Sequence, residues 1–199
     1  MYKVKVSSNG ALSKTSGKVL YNLTDDLPSG FTKLSYVSLK NSLIDTGAKT
    51  NKTTVIEAKM MPTTTTSTYL WYSDSSSSGS SNTTAYCSSS GNWRFGSRVF
   101  GIGNANYVGA MHEFKQSEEG VWIDGSKINS YATVSSFTSS ANLRFGSSAN
   151  TANRFVWFKH TRDGALLTWH RACRRDSDNA VGFYELVSDT FIEGGTAPE

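Results

Sequence analysis

Cleaving a glycosidic bond takes two carboxyl groups facing one another, roughly 5 Å apart in a retaining enzyme. On a strand such a pair shares a face when its members sit at positions i and i+4. The acidic residues of this chain do not supply one. Glu113, Glu118 and Glu119 surround an expected turn, Glu185 and Asp189 span another, and Glu57 stands alone on its strand. Asp176 and Asp178 lie in a polar stretch, where Asp commonly bonds backbone N–H groups of a turn. No GxSxG elbow, P-loop or HExxH pattern is present. The sequence therefore predicts no enzyme and no catalytic residue.

Metal chemistry is equally thinly supplied. Calcium needs several converging oxygen ligands, and Asp74, Asp124 and the Asp176/Asp178 pair are the candidates, none in a recognised loop pattern. His112, His160 and His170 stand apart and read as strand residues, and the expected cofactor is none. Cys87 and Cys173 allow one disulfide at most. The first residues, Met1 to Val6, show no uninterrupted apolar run of the secretory type, so buried free thiols are expected.

What remains is recognition. A sugar is held by an aromatic ring under its apolar face, with amide, hydroxyl or guanidinium groups taking its hydroxyls. Trp71 and Tyr72, beside a Ser-rich stretch, and Asn92, Trp93 and Arg94 have these types at close spacing and form the candidate carbohydrate-binding set. For each tryptophan a place in the core is at least an equal reading, because sandwiches bury large aromatics between sheets. Trp122 and Trp157, set in strongly apolar strands, are assigned to the core or its edge.

The elements that must position these residues are all extended. The 199 residues include 12% aromatic and 18% charged residues, 3 prolines, and roughly a quarter Ser plus Thr. Thr53 to Met61 alternates Val55, Glu57, Lys59 with Ile56, Ala58, Met60, a half-buried strand. Strand signals recur through Thr68–Tyr72, Trp93–Phe100, Tyr107–Phe114, Gly120–Ile123, Asn142–Phe145, Arg154–Lys159, Leu166–Ala172, Val181–Val187 and Thr190–Ile192. Asp124-Gly125 and Asp163-Gly164 mark hairpins. Ser73 to Thr84 reads as an exposed loop. The segment Asn92-Trp93-Arg94-Phe95-Gly96-Ser97 is echoed by Asn142-Leu143-Arg144-Phe145-Gly146-Ser147, which predicts two similarly placed strands, facing or neighbouring. So many strands must close into two packed sheets or a barrel. Residues 1–33 are short pieces, read as an N-terminal arm or attachment segment or, equally, as edge strands; 34–199 form the domain.

The order of motifs resembles the concanavalin A-like (LamG-type) jelly-roll modules found in phage virion and gut-bacterial surface proteins. Leu43-Ile44-Asp45-Thr46-Gly47 ahead of Val55–Lys59 is similar to their opening. Gly120-Val121-Trp122-Ile123-Asp124-Gly125 is similar to their hairpin. Asp163-Gly164-Ala165-Leu166, Arg171-Ala172-Cys173-Arg174-Arg175, Asp178 and Gly182-Phe183-Tyr184-Glu185 are similar to their closing strands. Ala172 replaces a usual proline and Glu185 a usual Asp. The likeness covers about residues 35 to 197. It implies an all-β, two-sheet antiparallel jelly-roll sandwich and, as function, a non-enzymatic virion structural or adhesion protein (head fibre, decoration or tail component). Such a protein would dock to other virion proteins through its arm, form a homo-oligomer and meet a cell-surface glycan. A ligand-free virion subunit and a bacterial cell-surface or secreted binding module are the alternatives. The net charge of +4 is scattered apart from Arg171, Arg174 and Arg175, so no nucleic-acid partner is expected. No apolar run reaches the ~18 residues of a membrane span, so no membrane insertion is expected.

Overall fold

The computed structural model describes residues 4–6, 12–14, 26–63, 68–73, 83–87, 92–95, 98–103, 107–130, 137–147 and 151–198. Among them there is no helix. Every strand pairing is antiparallel, and two sheets carry the domain.

The smaller sheet has the order β10 (Arg98–Gly103), β9 (Asn92–Phe95), β8 (Ala85–Cys87), β7 (Thr68–Tyr72), β14 (Thr138–Ser147), β5 (Ser42–Asn51). The larger runs β13 (Ser126–Ser130), β12 (Gly120–Ile123), β11 (His112–Ser117), β6 (Val55–Met61), β15 (Asn153–Arg162), β16 (Ala165–Arg175), β17 (Val181–Glu185), β18 (Thr190–Glu193). Two short strands enter it where β15 and β16 part. β4 (Val37–Leu39) pairs the start of β15, and β3 (Phe31–Lys33) pairs the end of β16. The last residues of the segment read as an arm are thus strand residues of the main sheet. Further upstream, β1 (Val4–Val6) pairs β2 (Leu12–Lys14).

Both sheets turn one face inward, and the core between them is aromatic. Trp71, Trp93, Phe95, Phe114, Phe145, Phe155, Phe158 and Phe183 are fully buried. Phe145 stacks on Phe158 at 4.3 Å between centroids, and Trp93 on Phe114 at 5.2 Å, each pair joining one sheet to the other. β6 shows why the sequence folds this way: Ile56, Ala58 and Met60 are buried while Val55, Glu57 and Lys59 are not. Its period of two matches the pleat. The hairpins form at the expected places, with positive φ at Asp124 and Gly125 and at Asp163 and Gly164. That geometry is a two-residue turn whose twist suits the flanking strands.

Two expectations change. The echoed strands β9 and β14 lie in the same sheet with β8 and β7 between them, neither facing nor adjacent. Their shared pattern reflects a shared inward face, Trp93 and Phe95 in one and Leu143 and Phe145 in the other. Of the stretch read as an exposed loop, Ser73, Thr83 and Thr84 are buried. Ser73 and Thr83 join Thr50 in a triangle of hydroxyls with edges of 2.8 to 3.1 Å; residues 74–82 lie outside the described ones. Part of the Ser/Thr wealth therefore serves the interior, where hydroxyls satisfy one another. Cys87 and Cys173 are buried free thiols, and burial pushes Cys173 up to about 12, which leaves it an inert packing residue.

Candidate functional site

The structure puts the tryptophans of the candidate set indoors. Trp71 and Trp93 are 0% and 2% exposed, so neither ring can be a surface platform. Trp71 donates its indole N–H to Gln116 Oε1 at 2.8 Å, across the sandwich from β7 to β11. Tyr72 is half-buried on the outer face of the smaller sheet, its ring 4.7 Å from that of Tyr69. Asn92 and Arg94 flank Trp93 on β9, and their side chains lie outside the described ones.

An aromatic platform exists elsewhere, on the outer face of the larger sheet. Trp122 alternates with the buried Val121 and Ile123 and so points the other way. Trp157 stands opposite Lys59 and Arg171. These two residues, assigned above to the core or its edge, are half-buried surface residues.

Cross-strand register sets their neighbours. One row reads Lys127, Trp122, Lys115, Glu57, Lys159, Trp169, and the next Glu113, Lys59, Trp157, Arg171, Tyr184, Phe191. Strand spacing of about 4.8 Å puts adjacent members in contact. Lys115 and Lys127 hold their ammonium groups 5.3 and 5.0 Å from the Trp122 ring, and Lys159 lies 4.0 Å from the Trp169 ring. Lys59 pairs with Glu113 at 3.1 Å.

The rows carry five cations against two carboxylates, so this face has an excess of positive charge. A depression of about 330 Å³ lies among Glu57, Glu113, Lys115, Trp122 and Trp157. The far end of the face is closed, because Leu27 and Phe31 pack with Trp169, Tyr184 and Phe191 in a second apolar cluster.

A second concavity, about 730 Å³, opens where the larger sheet overhangs the β5 edge of the smaller one. Thr46 lines one side, and Thr168, His170, Glu185, Thr190 and Ile192 come from β16, β17 and β18. Glu185 is not free for acid–base work: it accepts N–H bonds from Trp169 (2.7 Å), Val187 (3.0 Å) and Ser188 (2.5 Å), clamping the turn between β17 and β18. Asp45, on the rim, accepts from Gly47 N–H at 2.7 Å and pairs with Arg144 at 3.4 Å.

Calcium, which the resemblance raises, does not fit the described carboxylates. Asp124 bonds Glu113 N–H and His112 Nδ1, and those two contacts hold its carboxyl below the usual range. Asp178 is bidentate to Arg175, which lowers it to about 2. Asp176 accepts from Thr32 at 2.6 Å. Each is spent on its own turn or strand end, and among the described residues no three His, Cys, Asp or Glu converge as a metal site. Asp74 lies outside the described residues.

Fold and surface together define a two-sheet antiparallel β-sandwich with one open aromatic, cationic face and one polar groove. Compared with family models, curated proteins and solved structures, the chain matches none.

Proposed function

We propose that this protein is a non-catalytic adhesion module of concanavalin A-like jelly-roll topology, carried on a virion and binding an acidic cell-surface glycan through the open tryptophan–lysine face. The observation that carries the reading is Trp122, flanked by Lys115 and Lys127 and sharing a depression with Trp157. The rings supply apolar surface for a pyranose, Glu57 and Glu113 accept hydroxyl hydrogens, and the lysines select carboxylate- or sulfate-bearing sugars. Chain connections support the topology. β5 to β6, β6 to β7, β10 to β11, β13 to β14 and β14 to β15 each pass from one sheet to the other, as a jelly roll requires. The virion setting and the homo-oligomer rest on the resemblance over residues 35 to 197. Attachment falls to the residues before β3, since β3 itself belongs to the large sheet.

A glycan array containing uronic, sialylated, sulfated and neutral sugars tests this reading. Retention of acidic members is expected, weakening as salt rises. Trp122→Ala and Trp157→Ala should each lower binding about tenfold or more, the loss of one stacking contact, with little change in Tm. Equal retention of neutral and acidic sugars, or binding indifferent to both substitutions, would remove this face from consideration.

A further inference from the structure

We infer that the groove between β5 and the β16–β18 overhang is a second ligand site, separate from the tryptophan face, for an uncharged polyhydroxylated molecule of one or two sugar rings. Its volume of about 730 Å³ lies within the usual range for small-molecule sites. Its floor holds polar groups that the protein itself leaves unmatched. Both ring nitrogens of His170 and the hydroxyl of Thr168 have no protein partner, although these residues are 0% and 5% exposed. Buried polar groups are nearly always paired, so three unpaired ones on two side chains lining an open groove point to an incoming partner.

The kind of partner follows from the atoms. Burial keeps His170 neutral at physiological pH, so its imidazole offers one N–H donor and one acceptor nitrogen. Thr168 offers the same pair of roles on one oxygen. A hydroxyl group, which gives one hydrogen bond and takes others, is complementary to both.

Charge argues against an ion. The lining holds two cations, Lys49 and Arg162, and two carboxylates, Asp45 and Glu185, so its formal charge is balanced, and Arg162 already donates to the Lys49 carbonyl at 2.7 Å. Leu167 and Ile192 offer apolar wall for the C–H face of a ring, while Thr46, Ser188 and Thr190 add hydroxyls above the floor. The His170 ring makes a T-shaped contact with Phe145, 5.2 Å between centroids, which holds it from the core side.

The test is an NMR titration of the full chain with D-glucose, D-galactose, N-acetyl-D-glucosamine and lactose, each to about 50 mM, enough to reveal millimolar binding. At least one should shift the amides of Thr168, His170 and Ser188 saturably. Thr168→Val removes the floor hydroxyl at nearly constant volume, and Ser188→Trp fills the groove from an exposed position that leaves the core untouched. Each should weaken the titration tenfold or more, while Trp122→Ala leaves it within twofold. The inference is overturned if none of the four sugars shifts these amides saturably, or if binding survives both groove variants. It is also overturned if the shifts vanish with Trp122→Ala, which would place the sugar on the outer face.

Discussion

Trp71→Ala is expected to cost most of the protein's stability. The indole is 0% exposed, with Phe95, Phe114 and Phe158 at 6.0 to 6.3 Å. Emptying a core site of that size costs about 3–5 kcal/mol. The lost indole donor to Gln116 adds about 1 kcal/mol or more, because the hydrogen bond is buried. A domain of this size has about 5–15 kcal/mol in hand. With roughly 2–4 °C of Tm per kcal/mol at this length, the variant should melt at least about 8 °C lower or be recovered unfolded. Thermal melts of Trp71→Ala beside Trp122→Ala check this. A Tm within a few degrees of the parent for both would mean that the indole is not a keystone between the sheets. The comparison also bears on function, since loss of ligand binding in Trp71→Ala reports unfolding and says nothing about a platform.

The orientation of the tryptophans divides what alternation reveals from what it hides. In Asn92-Trp93-Arg94-Phe95 the polar and apolar residues alternate, and Trp93 falls on the apolar side with Phe95. In Val121-Trp122-Ile123 three apolar residues follow one another. The pleat allows only the outer two to share a face, so Trp122 must lie on the other. Both signals were available in the sequence.

Trp71 is different. Strict alternation would set it beside Tyr69 and away from Leu70, yet Leu70 and Trp71 are both buried. The β7–β8 register shifts between Tyr69 and Trp71, and that irregularity turns the indole inward. Trp157 follows a comparable shift against β6. A bulge breaks the period of two without leaving a mark in composition, so these positions cannot be oriented from residue types alone. The all-β class, the β6 faces and both Asp-Gly hairpins follow from local patterns. The groove does not, because Thr46, Thr168, His170 and Glu185 come from strands that meet only through the topology.

Lowering the pH from 7.5 to 5 should destabilise the fold by about 4 kcal/mol, and the source is the interior. His160 and His170 are both 0% exposed, on adjacent strands, and none of their four ring nitrogens has a protein partner. Burial, with Arg162 nearby, pushes His160 down to about 4. Burial, with His160 nearby, pushes His170 down to about 3.

The direction follows from proton binding. Above pH 6.5 the imidazoles are neutral folded and unfolded alike, and the full stability is present. Below 6.5 the unfolded chain takes up protons that the folded core refuses, so stability falls until the pH reaches the folded values near 4 and 3. At pH 5 each histidine has lost about 1.5 pK units of advantage, or about 2 kcal/mol. Exposed carboxylates do not mimic this: Asp178, held at about 2 by Arg175, loses its contribution only at lower pH. Chemical denaturation at pH 7.5 and pH 5.0 measures the difference. His160→Leu and His170→Leu should each remove about half of the acid-induced loss, whatever they do to stability at pH 7.5. An undiminished loss in the double variant would show that the acid sensitivity arises outside the core.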